Sequence, residues 1–151
     1  MRALRQWGMA LALLGAGGAQ ACGHCVEDRI AAAYDHAVLK SAAARGHEVA
    51  FFALEPAPQG IPVTVNGRQV LEAAAGSVPG VDAGTARASV EPGALSVAYD
   101  PARTRLPELQ RALQNRLTRR GYVLLPLQVM RGPGDMPAGA AAQVTATLAG
   151  H

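Results

Sequence analysis

Apolar and polar positions along this chain change period several times, and each change marks an element. Val26, Ile30, Ala33, Ala37 and Val38 recur at helical spacing. Glu27 and Asp28 fall in the first turn and Gly46 supplies a stop, which predicts one helix from about Cys25 to Arg45. The unbroken apolar run Val49-Ala50-Phe51-Phe52-Ala53-Leu54 predicts a strand buried on both faces. Pro56, Pro58, Gly60 and Pro62 make a loop. Asn66-Gly67 has the chemistry of a hairpin turn between Val63/Val65 and Val70. The run from Gln69 to Ala75 favours helix instead, with Asn66 as its cap.

The second half alternates more regularly. Thr85 to Val90 and Leu95 to Tyr99 each read with period two, and Pro92-Gly93 turns the chain between them, so an antiparallel pair is expected. Thr104 is placed to cap a helix that tolerates Pro107 in its first turn. Leu106, Leu109, Leu113 and Leu117 line its buried face, and Gly121 ends it. Val123 to Val129 forms a last strand. Beyond Arg131, Gly, Pro and Ala dominate, and a mobile tail is expected.

The order from His47 onward is βαββαβ. The predicted fold class is therefore α+β, a ferredoxin-like βαββαβ sandwich with two helices on one face of a four-stranded antiparallel sheet and an extra N-terminal helix. The organisation follows as a signal peptide at 1–21, an N-terminal CGHC helix at 22–46, a ferredoxin-like domain at 47–130 and a flexible tail at 131–151. After loss of the leader, a chain of this size buries roughly two-thirds of its surface on folding, enough for one core.

The leader changes the charge picture. Arg2 and Arg5 precede the short apolar core Met9 to Leu14, and Ala19-Gln20-Ala21 fits a cleavage site. The chain has 14 basic and 11 acidic side chains. Cleavage removes Arg2 and Arg5 and leaves a mature balance of 12 against 11. That balance implies no nucleic-acid partner, and aromatics at 4% supply no stacking platform. Arg116, Arg119 and Arg120 cluster near the end of a helix, where they complement its dipole. No apolar run reaches the roughly 20 residues of a membrane span. A lipid anchor at Cys22 is disfavoured, because Ala19 and Gln20 fit the attachment box badly. The expected location is periplasmic or secreted.

Part of the chain resembles a known family. Val78-Pro79-Gly80-Val81, Val97-Ala98-Tyr99-Asp100-Pro101, Thr104, Leu109, Ala112-Leu113 and Gly121-Tyr122 are similar to the second half of the heavy-metal-associated domain. Copper chaperones and the metal-binding domains of copper-transporting ATPases belong to that family. The likeness covers about residues 70–128 and implies the same βαββαβ sandwich. It further implies metal binding through a C-x-x-C loop between the first strand and first helix. That loop falls here at about residues 55–67 and holds no cysteine. Cys22-Gly23-His24-Cys25, with Val26 after it, is similar to the family motif leading into a helix. Either the metal motif is displaced onto the N-terminal helix, or the domain has lost its site and the cysteines serve another purpose.

The chemistry of this tetrapeptide narrows the choice. Two thiolates three positions apart converge on one soft ion, and Gly23 eases the turn between them. Sulfur donors suit Cu(I) and not Mg or Ca. A structural zinc site normally takes four ligands, and no second cysteine pair exists. Cys22 and Cys25 are thus the expected copper ligands, with His24 secondary. If cleavage follows Ala21, the free amine of Cys22, two amides and the His24 imidazole also form a square plane of nitrogens suited to Cu(II). A metal-donor or metal-acceptor protein would be the partner.

Two alternatives stand beside this reading. C-G-H-C also occurs in protein disulfide isomerases, so a periplasmic thiol–disulfide exchange protein is one. A non-metal protein-interaction module on a degenerate heavy-metal-associated fold is the other. The remaining histidines are weaker candidates. His36 lies roughly 16 Å along the helix from Cys25 if that helix is intact. His47 reads as a surface residue and His151 as part of the tail, where Met130 and Met136 could lend thioether sulfur. Glu27, Asp28 and Asp35 read as a solvated helix face. No nucleophile elbow or phosphate loop occurs, and no enzyme is expected.

Overall fold

The structure, a computed structural model, describes residues 25–60 and 66–137. The expected leader, Cys22, His24 and the tail from 138 onward lie outside the described residues.

The N-terminal helix divides in two, α1 (Val26–Ala32) and α2 (His36–Ala44). The single helix expected from Cys25 to Arg45 is corrected here, and Asp35 supplies the reason. Its backbone is extended, and its Oδ1 accepts the N–H groups of Ala37 at 2.9 Å and Val38 at 3.1 Å. A carboxylate in that position satisfies donors left free at a helix start, so a new helix begins. Asp35 Oδ2 also accepts Arg87 Nε at 2.7 Å, so this residue is a structural joint and not part of a solvated face.

The chain then forms β1 (Glu48–Pro56), α3 (Gly67–Gly76), β2 (Arg87–Ser89), β3 (Ala94–Tyr99), α4 (Leu106–Thr118) and β4 (Tyr122–Met130). Asn66 is the cap of α3 as expected, although it acts through a left-handed backbone (φ 50°) without a side-chain bond. The cap of α4 falls on Arg105, one residue later than expected. Thr104 instead lies against Gly80, where any Cβ would approach its Oγ1 to 2.7 Å. The strands lie in the order β2-β3-β1-β4, all antiparallel, which gives the ferredoxin-like α+β fold.

Side-chain alternation assigns the two faces of the sheet. Ala50, Phe52, Leu54, Leu95, Val97 and Tyr99 point to one side, against Leu71 of α3 and Leu109, Leu113 and Leu117 of α4. Val49, Phe51, Ala94, Ala98 and Met130 point to the other, against Ile30, Ala33, Leu39 and Ala42. Helices α1 and α2 therefore roof the second face. That is why β1 is apolar without interruption: each full burial of a Phe or Leu stabilises the fold by about 1.5–3 kcal/mol. The small residues Ala94, Ser96 and Ala98 let this short roof sit close, and the buried Ser96 hydroxyl donates to Ala33 O at 2.6 Å.

Among the described residues β4 pairs only with β1 and forms an edge of the sheet. Phe51 and Phe52 face Gln128 and Pro126, so Leu127 is an inserted residue in a bulge. Pro126 lacks an N–H donor, and an edge beside a bulge is where a strand tolerates that. Met130 is fully buried in the second core and Met136 packs against it, so both thioethers serve packing, the more ordinary of the two uses the sequence allowed them. A 3-10 turn at Pro133–Asp135 follows Arg131. Arg131 Nε donates to Glu48 Oε1 at 2.9 Å, and its backbone N–H donates to Asp135 at 2.6 Å. Among the described residues no helix is long and apolar enough to cross a membrane.

Candidate functional site

Cys25 is the one expected ligand within the described residues, and it occupies the cap position of α1. It is exposed, its backbone is extended (φ −65°, ψ 150°), and its side chain makes no capping bond. Its carbonyl accepts the Arg29 N–H at 3.2 Å, which begins the helix. Cys22 and His24 lie immediately before it, outside the described residues.

The helix that follows Cys25 is packed onto the sheet. Ile30 and Ala33 are buried, and Ser96 holds the end of α1 through Ala33 O. One turn after Cys25, the Arg29 guanidinium meets Glu55 Oε1 at 2.6 Å. The Arg29 side chain is only 8% exposed and Glu55 39%, so this ion pair is buried at one end and wet at the other. Arg29 Nε is buried without a hydrogen-bond partner.

These contacts orient α1 on the sheet. Ala33 sits over Ser96, the pairing partner of Phe51, while Arg29 reaches Glu55 near the end of β1. Helix α1 thus runs opposite to β1. Cys25 lies roughly 6 Å further along the helix axis, towards the end where β1 exits.

The other candidates separate. His36 is the first residue of α2, and its Nδ1 is 3.2 Å from the Tyr34 hydroxyl. The break at Asp35 removes the intact helix from which its distance to Cys25 was reckoned. Burial, and then the Asp35 carboxylate, push the Tyr34 hydroxyl pKa up.

His47 is not a plain surface residue. It follows α2 directly, is only 19% exposed, and its Nδ1 lies 2.7 Å from Asp82 Oδ2. Arg45 donates to the same oxygen at 3.0 Å, and His47 Nε2 lies 3.9 Å from Asp100 Oδ2. His47, Asp82 and Asp100 line a polar cavity of about 360 Å³ with Gly80, Arg103 and Thr104. Sequence reasoning missed this cluster because its members sit 35 and 53 positions apart. The antiparallel register places the start of β1 beside the end of β3, with Glu48 opposite Tyr99, and the Val81–Tyr99 bridge brings Asp82 to the same end. The Tyr99 hydroxyl donates to Glu48 Oε2 at 2.6 Å. Burial, and then this carboxylate, hold its pKa well above the ordinary tyrosine range.

Among the described residues no group of three or more His, Cys, Asp or Glu side chains is arranged to hold a metal ion. Comparison with known proteins finds no matching family model, no matching curated protein and no matching solved structure.

Proposed function

We propose that the chain is an exported protein that binds copper through Cys22 and Cys25, with His24 as a further donor, and passes the ion to a partner protein. The observation that supports this most is the setting of Cys25. Its side chain is exposed and unused by the helix cap, yet it stands on a helix fixed to the sheet by Ile30, Ala33 and the Arg29–Glu55 pair. A thiolate so presented can approach another protein's thiols and exchange an ion stepwise. Soft Cu(I) is the cargo that a pair of sulfur donors favours. The resemblance to the heavy-metal-associated domain points the same way. That family carries its two cysteines after the first strand, and Cys25 comes to the same end of β1 from the opposite face.

The test is competition for Cu(I) between the reduced mature chain and bicinchoninate. The account expects a single site that Cys22→Ser/Cys25→Ser abolishes and His24→Ala weakens. Unchanged copper affinity in the double variant overturns it. A chain that takes no copper but exchanges its thiols with a model disulfide supports the redox reading instead. Extending the mature N-terminus by one alanine should remove any square-planar Cu(II) site and leave Cu(I) binding intact.

A further inference from the structure

The arginines of the described residues fall into two sets. Arg29, Arg45, Arg68, Arg87 and Arg131 each pair with a carboxylate. Arg103, Arg105, Arg111, Arg116, Arg119 and Arg120 are all exposed, and none has an ion pair or side-chain hydrogen bond among the described residues. Within residues 103–120 these six stand with Glu108 as the one acidic side chain, a net charge of +5, and Arg103 alone of them also borders the cavity of Asp82 and Asp100. The other described residues hold six basic against ten acidic side chains, a net of −4. The near-neutral total therefore hides a strongly divided surface.

Helix electrostatics do not account for the set. The dipole favours cations only near the C-terminus, as for Arg116, Arg119 and Arg120. Arg103 and Arg105 stand at the opposite end of α4, where the dipole opposes them, and Arg111 lies mid-helix. The buried stripe Leu109, Leu113 and Leu117 holds α4 to the sheet without help from any of these arginines.

Arg116 and Arg119 also border a built feature. With Asn115 they rim a cavity of about 220 Å³ whose apolar part is Val78, Pro79 and Ala112, between the end of α3 and α4. Guanidinium forks over a small apolar floor match carboxylates flanking an apolar side chain, because each fork binds a carboxylate through two parallel bonds. Among the described residues the large apolar side chains that are exposed are Val26, Val90 and Leu125, none of them on α4, so this helix offers no large apolar side chain to a bilayer. It carries no aromatic ring on which a base could stack.

We propose that the arginine face of α4 docks an acidic protein segment, with Arg116 and Arg119 clamping carboxylates beside the Val78–Pro79–Ala112 floor and Arg105 and Arg111 extending the contact. The face lies across the sheet from α1, so the proposal does not depend on copper binding at Cys22 and Cys25.

The test is fluorescence anisotropy of the full chain with a short labelled peptide of glutamates interspersed with two leucines. Arg116→Gln/Arg119→Gln is expected to weaken binding about tenfold at low salt, with no change in the thermal midpoint. Arg116→Lys/Arg119→Lys keeps the charge and loses the fork, so it should weaken binding severalfold. Lys40→Gln, on α2, should have no effect. Equal binding of a glutamine-for-glutamate peptide, equal loss with Lys40→Gln, or no loss in the double glutamine variant overturns the proposal. So does tighter binding, at the same salt, to duplex DNA or to phosphatidylglycerol vesicles.

Discussion

Removing either partner of the Arg29–Glu55 pair should have very unequal consequences. Glu55→Ala leaves a guanidinium that is 8% exposed with no counter-charge and with Nε already unbonded. Breaking a buried pair in this way typically costs about 3–5 kcal/mol. Glu55 is 39% exposed, so water already weakens the pair, and a loss of about 2–3 kcal/mol is expected here. Arg29→Met leaves the carboxylate at a position that water reaches. The thioether chain fills the space of the arginine stem, and the change removes an orphan N–H whose burial costs about 1–3 kcal/mol. Arg29→Met should therefore fall within about 1 kcal/mol of the parent, and Arg29→Met/Glu55→Ala should resemble it. Chemical denaturation followed by circular dichroism measures all three. In thermal melts the Glu55→Ala loss corresponds to roughly 6–12 °C for a chain of this size. Equal destabilisation by the two single changes would refute the reasoning, since it would mean that Arg29 is not desolvated. The same series reports on the cysteine site, because this pair fixes the helix that carries Cys25.

Burial alone would raise the Asp35 pKa, but the Val38 N–H, the Arg87 ion pair and the Ala37 N–H outweigh it and hold the carboxyl below its ordinary 3.8. A carboxyl held down in this way stabilises the fold above that ordinary value, and the contribution disappears as pH falls through the folded value. Asp35→Asn keeps a capping oxygen but loses the charge that meets Arg87, so it should cost up to about 1 kcal/mol at neutral pH, and denaturation at stepwise lower pH should show the gap to the parent closing in acid. Ser96→Ala leaves the Ala33 carbonyl without its buried donor and should cost about 1–2 kcal/mol by urea denaturation. Faster hydrogen exchange in α1 and α2 than in α4 should accompany that loss. Gly93→Ala sets a Cβ 2.5 Å from the Leu54 carbonyl oxygen in a turn with φ 76°, and a melt should show a loss above that of Ser96→Ala.

The sheet was legible because its signals are local. Alternation in Leu95 to Tyr99, the Pro92-Gly93 turn and the leucine stripe of α4 each act within a few residues, and together they permit few topologies. The apolar run of β1 also announced that both its faces would be covered. What covers the second face was not legible, since α1 and α2 look like an independent appendage until Ser96 and Phe51 are seen beneath them. The break between these helices did leave a trace: Asp35 just before His36-Ala37-Val38 is a helix-start signal. It was outweighed by the longer apolar stripe running through it. The pairs Arg29–Glu55, Arg87–Asp35 and His47–Asp82 span 26, 52 and 35 positions, and no local pattern encodes them. The arginines of α4 show the same limit. Their charge was visible, but their lack of partners became visible only when the other arginines of the described residues were each seen to have one. Of the candidate copper ligands, Cys25 alone falls within the described residues, and its helix-start position matches the sequence expectation.

Native mass spectrometry of the chain expressed in full and recovered from its exported fraction, without reductant, tests the central proposal most directly. The account predicts a mass that begins at Cys22 and carries a copper ion, lost in Cys22→Ser/Cys25→Ser. A diacylated Cys22, or a metal-free species two hydrogens light that takes up no copper after reduction, would contradict it.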